Sequence, residues 1–201
     1  MTTVMLDWQQ NITSLVVDLK GGDTVTGSIR NRAVILDRDG TLIKQVDGEY
    51  VTKPEQIEIL PSVADRIRAI NEAGWLVCVA TNQQCVGKGL CTNQDVEEVN
   101  ETLTGMLAVS GAMINSFVWC PHLESDGCYC RKPRPGLLYR LAIAHHLDLR
   151  ECLFIGDSES DMLAARAAGC QWYAVKKNVG LAQWEPERLA KVREVKVLER
   201  K

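Results

Sequence analysis

Largely apolar runs of strand length recur along the chain and alternate with amphipathic stretches. Ala33-Val34-Ile35-Leu36, Trp75 to Ala80, Met113 to Trp119, Cys152 to Ile155 and Gln171 to Val175 have the length and apolar character of strands covered on both faces. Between them, apolar residues return every three or four positions, the period of a helix with one buried face. Val63, Ile67 and Ile70 follow Pro61-Ser62 and stop at Gly74. Val96, Val99, Leu103, Met106 and Leu107 follow a Thr92-Asn93 cap, and Leu137, Leu138, Leu141 and Ala144 form a third face. Asp161 to Ala168 is a fourth helix, ended by Gly169, and Glu185 to Lys201 predicts a charged amphipathic surface helix. Strands alternating with helices predict an α/β fold: a doubly wound, mostly parallel, Rossmann-like sheet with helices on both faces. Trp119 and Trp172 are expected in its core; Trp184 has no assigned place.

Residues 1–32 fall outside this alternation. Leu15-Val16-Val17-Asp18-Leu19 and Thr24-Val25-Thr26-Gly27-Ser28 flank Lys20-Gly21-Gly22-Asp23, the pattern of a β-hairpin. That segment is an extension, and residues 33–201 make one domain. At 201 residues and 46% hydrophobic, the chain can bury a sizeable core. A net charge of -3 argues against nucleic acid as a partner. No apolar run approaches the roughly 18 residues of a membrane span, and Met1 to Asp7 lacks the start of a secretory signal. A cytoplasmic setting and a monomer are therefore expected.

Chemistry collects where the strands end. Ligands of an open α/β sheet bind beyond the carboxyl ends of its strands. There the sequence places Asp37 and Asp39, then Thr81-Asn82, then Arg131-Lys132, then Asp157 and Asp161. Asp37 and Asp157, with the backbone near Asp39, form an oxygen set suited to Mg²⁺. Thr81 and Asn82 offer donors to phosphate oxygens, and Lys132 a fixed positive charge.

Of eight cysteines, five are scattered and read as reduced thiols. The other three lie in Cys120-Pro121-His122 and Cys128-Tyr129-Cys130, spaced C-x-H-x5-C-x-C. Three thiolates and one imidazole make a closed, structural zinc set. Because Arg131-Lys132 follows Cys130 directly, zinc would help to place the phosphate-binding lysine. His145 and His146 are adjacent on a helix, face different ways and form no chelate.

These residues resemble the haloacid-dehalogenase phosphatase superfamily. Its first motif appears as Asp37-Arg38-Asp39-Gly40-Thr41, its second-motif Thr as Thr81, its third-motif Lys as Lys132, and its acidic pair as Asp157 and Asp161; the match runs from about residue 33 to 176. The resemblance implies that residues 33–201 are a phosphatase domain without a large cap. It implies Asp37 as nucleophile, Asp39 as general acid and base, and Thr81 and Lys132 as grips on the phosphoryl group. It also implies Mg²⁺ on Asp37, the Asp39 carbonyl and Asp157, oriented by Asp161. The Cys-x-His…Cys-x-Cys loop is similar to that of a branch with two activities. One removes the 7-phosphate of D-glycero-D-manno-heptose 1,7-bisphosphate; the other hydrolyses histidinol phosphate. Asp47-Gly48-Glu49-Tyr50-Val51 and Arg131 to Gly136 look like the heptose enzymes. The five-residue spacer between His122 and Cys128 looks like the histidinol enzymes, and Ser158 stands where many heptose enzymes carry a lysine. A small phosphorylated sugar is the expected partner, contacted by Asn82, Gln83, Gln84, Arg131, Asp47, Gly48, Tyr50 and Ser158, with Lys88, Arg131 and Arg134 facing a second phosphate. A zinc-stabilised binding protein without catalysis is the alternative from another class.

Overall fold

The computed structural model describes residues 31–192. The hairpin expected within residues 1–32 and the end of the expected terminal helix fall outside them. Five strands pair in parallel in the order β3-β2-β1-β4-β5: β1 Ala33–Leu36, β2 Leu76–Asn82, β3 Ser116–Cys120, β4 Leu153–Gly156 and β5 Gln171–Ala174. The helices are α1 Val63–Glu72, α2 Gln84–Gly87, α3 Asn93–Ala108, α4 Gly136–His145, α5 Glu159–Ala168 and α6 Arg188–Lys191. This is the doubly wound α/β arrangement that the alternation predicts.

The order runs outward from β1 to β3 on one side, then crosses to β4 and β5 on the other. Leu36 pairs with Val79 on one flank and Ile155 on the other, so β1 is central and wholly buried. The crevice between the ends of β1 and β4 is the switch point at which such sheets bind ligands.

Alternate residues of each strand feed two cores. Val34, Leu36, Val77, Val79 and Ile155 meet Val63, Ile67 and Ile70 of α1 and Leu103 and Leu107 of α3 on one face. Ala33, Ile35, Cys78 and Phe154 meet Leu137, Leu138 and Leu141 of α4 and Ala164 and Ala165 of α5 on the other. Burial of this kind contributes about 25 cal/mol per Å² of apolar surface.

Several boundaries differ from the sequence expectation. β2 continues through Thr81 and Asn82, because these pair with Trp119 and Cys120 of β3. β3 begins only at Ser116; Met113 is 60% exposed and its backbone is bound by the Asn71 side chain. Met106 is 42% exposed and Ala144 is exposed, so neither belongs to the core. Trp119 sits half-buried on the edge strand with its indole N–H donated to Asn93. Trp172 is also half-buried, packed edge-on against Phe154 at 5.7 Å. Among the described residues the fully buried tryptophan is Trp184, under the first face with Leu181. The expected helix from Glu185 is present among the described residues only as Arg188–Lys191.

Candidate active site

Asp37 follows β1 at the switch point. Its backbone N–H donates to Ile155 O, so strand pairing carries past Leu36 and fixes where the carboxylate projects. The chain then turns at Gly40, with φ of 85°; a Cβ there would lie 2.7 Å from Asp157 Oδ2. Glycine thus lets the β1 loop close onto the end of β4.

Lys132 reaches into the same crevice and is almost fully buried. Its Nζ donates to Asp37 Oδ1 at 2.8 Å and Ala80 O at 2.9 Å, and lies 2.5 Å from Asp161 Oδ1. Burial works against the lysine's charge, but Asp161 and Asp37 more than offset it, holding the pKa above the ordinary lysine range. Burial pushes the Asp37 carboxyl up to about 7, against the pull of Lys132. Burial, followed by the Asp161 charge, also raises Asp157.

Asp161 has two tasks. Its Oδ2 accepts from the Ser158 backbone N–H and hydroxyl, and the Ser158 hydroxyl accepts from the Asp161 N–H, which completes a capping box at the start of α5. Its other oxygen holds Lys132. One oxygen from each of Asp37, Asp157 and Asp161 lies within 4.8 Å of the others. Such a set of hard oxygen donors suits Mg²⁺. Both Asp161 oxygens are engaged, by Lys132 and by Ser158, whereas on Asp37 Lys132 engages Oδ1.

Several of the other predicted residues surround this centre. Thr81 is buried and donates to Asp39 Oδ2 at 3.3 Å, while Gln83 donates to the same oxygen at 2.6 Å. Asn82 spends both ends of its amide on the Lys132 backbone, donating to Lys132 O and accepting from Lys132 N. Tyr50 Oη accepts from Gln84 and Lys88, and Gln84 Oε1 accepts from Arg131. Thr81, Asn82, Gln83, Gln84 and Tyr50 line a cavity of about 390 Å³ together with Arg131, Ser158, Ser160 and Lys177.

Asp47 and Gly48 lie outside that lining, and Asp47 instead pairs with Lys177. Lys88 and Arg134, expected at a second phosphate, are outside it too: Lys88 holds Tyr50, and Arg134 donates to Cys128 O. The sequence pattern places polar groups at the ends of four strands and does not single out Lys177, whose signal is Lys176-Lys177 one residue beyond β5. The loop carrying Lys177 is tied to the β1 loop by Asn178, which donates its backbone N–H to Gly40 O and exchanges side-chain hydrogen bonds with both backbone groups of Gln45.

Cys120, His122, Cys128 and Cys130 converge at the end of β3. The three sulfurs are 3.4 to 3.6 Å apart, and His122 Nδ1 lies 3.3 Å from Cys130 and 3.5 Å from Cys120. A zinc tetrahedron with about 2.3 Å Zn–S bonds has sulfur–sulfur edges of about 3.8 Å, so the cluster has nearly the size required. Contact with Cys120 is the main influence holding the Cys130 thiol down to about 5, and Cys120 is pushed up in return. This cluster could hold a metal ion.

A family model described as HAD-hydrolase-like matches residues 129–199. The chain is 39% identical over 148 residues to the D-glycero-β-D-manno-heptose-1,7-bisphosphate 7-phosphatase of Pseudomonas aeruginosa, covering 74% of this chain and 83% of that one. It is 40% identical over 144 residues to the corresponding α-anomer phosphatase of Mycobacterium tuberculosis, covering 68% and 75%. The crystal structure of D,D-heptose 1,7-bisphosphate phosphatase from Bordetella bronchiseptica, complexed with magnesium and phosphate, superposes with a TM-score of 0.70 at 33% identity, covering 75% of this chain and 83% of that one.

Proposed function

The chain belongs to the haloacid-dehalogenase-like hydrolases and is a phosphatase of phosphoric monoesters; on that premise we propose that it removes the 7-phosphate of D-glycero-D-manno-heptose 1,7-bisphosphate. What carries the substrate is the activity named for relatives at 39% and 40% identity, one for the β anomer and one for the α. The cavity suits a phosphorylated sugar: besides Lys132, it places Arg131 after β3 and Lys177 after β5, on either side of Asp37.

In the proposed reaction an Asp37 oxygen attacks phosphorus and the bond from phosphorus to the sugar oxygen breaks. Asp39 gives its proton to that departing oxygen. Asp39 then takes a proton from water as the water oxygen attacks phosphorus, inorganic phosphate leaves and the Asp37 carboxylate returns. Lys132 offsets charge beside Asp37, and Thr81 turns its hydroxyl from Asp39 to a phosphoryl oxygen. Mg²⁺, held by Asp37, the Asp39 carbonyl and Asp157, would supply charge neutralisation between the carboxylate and the phosphoryl oxygens. Zinc on the cysteine loop would hold the backbone that leads into Arg131 and Lys132.

A panel of both heptose 1,7-bisphosphate anomers, histidinol phosphate and 4-nitrophenyl phosphate, assayed with Mg²⁺, tests this reading. The expected result is a kcat/KM for one heptose anomer at least about 100-fold above histidinol phosphate, a difference of about 2.8 kcal/mol in transition-state binding. The short His122–Cys128 spacer makes histidinol phosphate the competing substrate, and a preference for it would overturn the assignment.

A further inference from the structure

The family motif gives Arg38 no task, yet among the described residues it is the second-largest of the fully buried side chains. It lies between the two carboxylates of the first motif, where it would be expected to face away from them. Instead its guanidinium folds back. Nε donates to Asp39 Oδ2 and Nη2 to Asp39 Oδ1, each at 3.2 Å. From behind, Nη1 donates to Asn100 Oδ1 at 2.9 Å, and Asn100 is itself buried on α3. A buried guanidinium that forks both oxygens of a carboxylate fixes its plane as well as its place.

Asp39 therefore receives hydrogen bonds only from donors: Arg38 on both oxygens, with Gln83 and Thr81 on Oδ2. Those donors fix both Asp39 oxygens in place. Thr81 connects the shell to the substrate, because the hydroxyl that it lends to Asp39 is the one that turns to a phosphoryl oxygen.

We infer that Arg38, braced by Asn100, is the positioning residue that aims the Asp39 carboxylate at the reacting oxygen. This rests on the assignment of Asp39 as general acid and base. A rigid acid–base group matters most where the proton is most needed. An alkyl ester has a poor leaving group and requires protonation; 4-nitrophenolate leaves without it. The parameter kcat/KM reports steps up to departure of the alcohol, whereas kcat also includes hydrolysis of the aspartyl-phosphate, which both esters share.

The test measures both parameters for 4-nitrophenyl phosphate and for the alkyl phosphate turned over best in the substrate panel. Arg38→Met is expected to lower kcat/KM about 100-fold for the alkyl ester and less than about 5-fold for the aryl ester, with kcat reduced for both. Arg38→Lys, which keeps the charge and loses the fork, should fall between Arg38→Met and the parent. An equal loss of kcat/KM on both esters would overturn the inference. If Arg38→Met does not fold, Asn100→Leu removes only the brace and must still shift the alkyl-to-aryl ratio; an unchanged ratio is equally fatal. Asp39→Asn in the same assays separates the two claims. If it shows no selective loss on the alkyl ester, the role of Asp39 falls; if it does and the Arg38 and Asn100 variants do not, only the role of Arg38 falls.

Discussion

Asp37, Thr81, Lys132 and Asp157 come from the ends of different strands and meet only because the sheet places those ends side by side. Cys120 ends β3 and His122, Cys128 and Cys130 follow within ten residues, so the cluster needs only the loop after that strand to close. The first group is braced by the whole fold: Lys132 is fixed by Asp37, Asp161 and Ala80 O, and its backbone by Asn82. The second is held by sulfur contacts that would become bonds to a metal ion. A site assembled from strand ends survives the loss of one side chain's chemistry with its geometry intact. A site assembled within a loop loses its geometry with its metal. The two join at residues 130–132, where one backbone segment serves both.

The largest expected effect separates chemistry from architecture. Asp37→Asn should reduce steady-state phosphate release by at least about 10⁴-fold, because no acyl phosphate can form, while circular dichroism stays that of the parent. Near-normal turnover would remove Asp37 as nucleophile. A smaller effect tests the loop. Cys130→Ser should abolish the zinc signal in metal analysis and cost about 10- to 100-fold in kcat/KM, the range for groups that orient a site from outside it, with the sheet unchanged. Undiminished kcat/KM in zinc-free protein would show that the two centres do not communicate.

The smallest effect belongs to neither centre. Asp95 completes the capping box of α3 by accepting from the backbone N–H and hydroxyl of Thr92, and those bonds hold its carboxyl below the ordinary range. A depressed carboxylate contributes stability above its unfolded pKa and loses it as pH falls through the folded value. Asp95→Ala should therefore lower Tm slightly at pH 7 with kcat unchanged, and the two melting curves should converge as the pH drops below the lowered value. A Tm gap that persists in strong acid would assign the effect to helix packing and not to the cap.

The same contrast explains what could be read from the sequence. The cysteine cluster lies within one short spacing, so its four members could be picked out without any fold. The strand-end centre required the parallel sheet first, and the alternation of apolar runs with helical faces supplied it. Boundaries slipped where pairing overrode composition, as in β2 through Asn82, and where apolar residues sat on the outer side, as with Met106 and Met113. The fork on Asp39 was invisible because a charged residue between two carboxylates gives no sign of which way it turns. Likewise, nothing in Asp47-Gly48 signals that Asp47 would pair with Lys177 across the mouth of the cavity.

The Asn178 tie bears on how substrate enters. Three hydrogen bonds of 2.8 to 2.9 Å join Asn178, in the loop after β5, to Gly40 and to Gln45, the latter 133 positions earlier in the chain. Breaking all three at once costs on the order of 3 kcal/mol, so a gap between these loops would be a rare excursion. The nucleophile's loop and the Lys177 loop thus form one joined wall of the cavity, while Tyr50 and Gln84 in its lining are held by a separate set of hydrogen bonds.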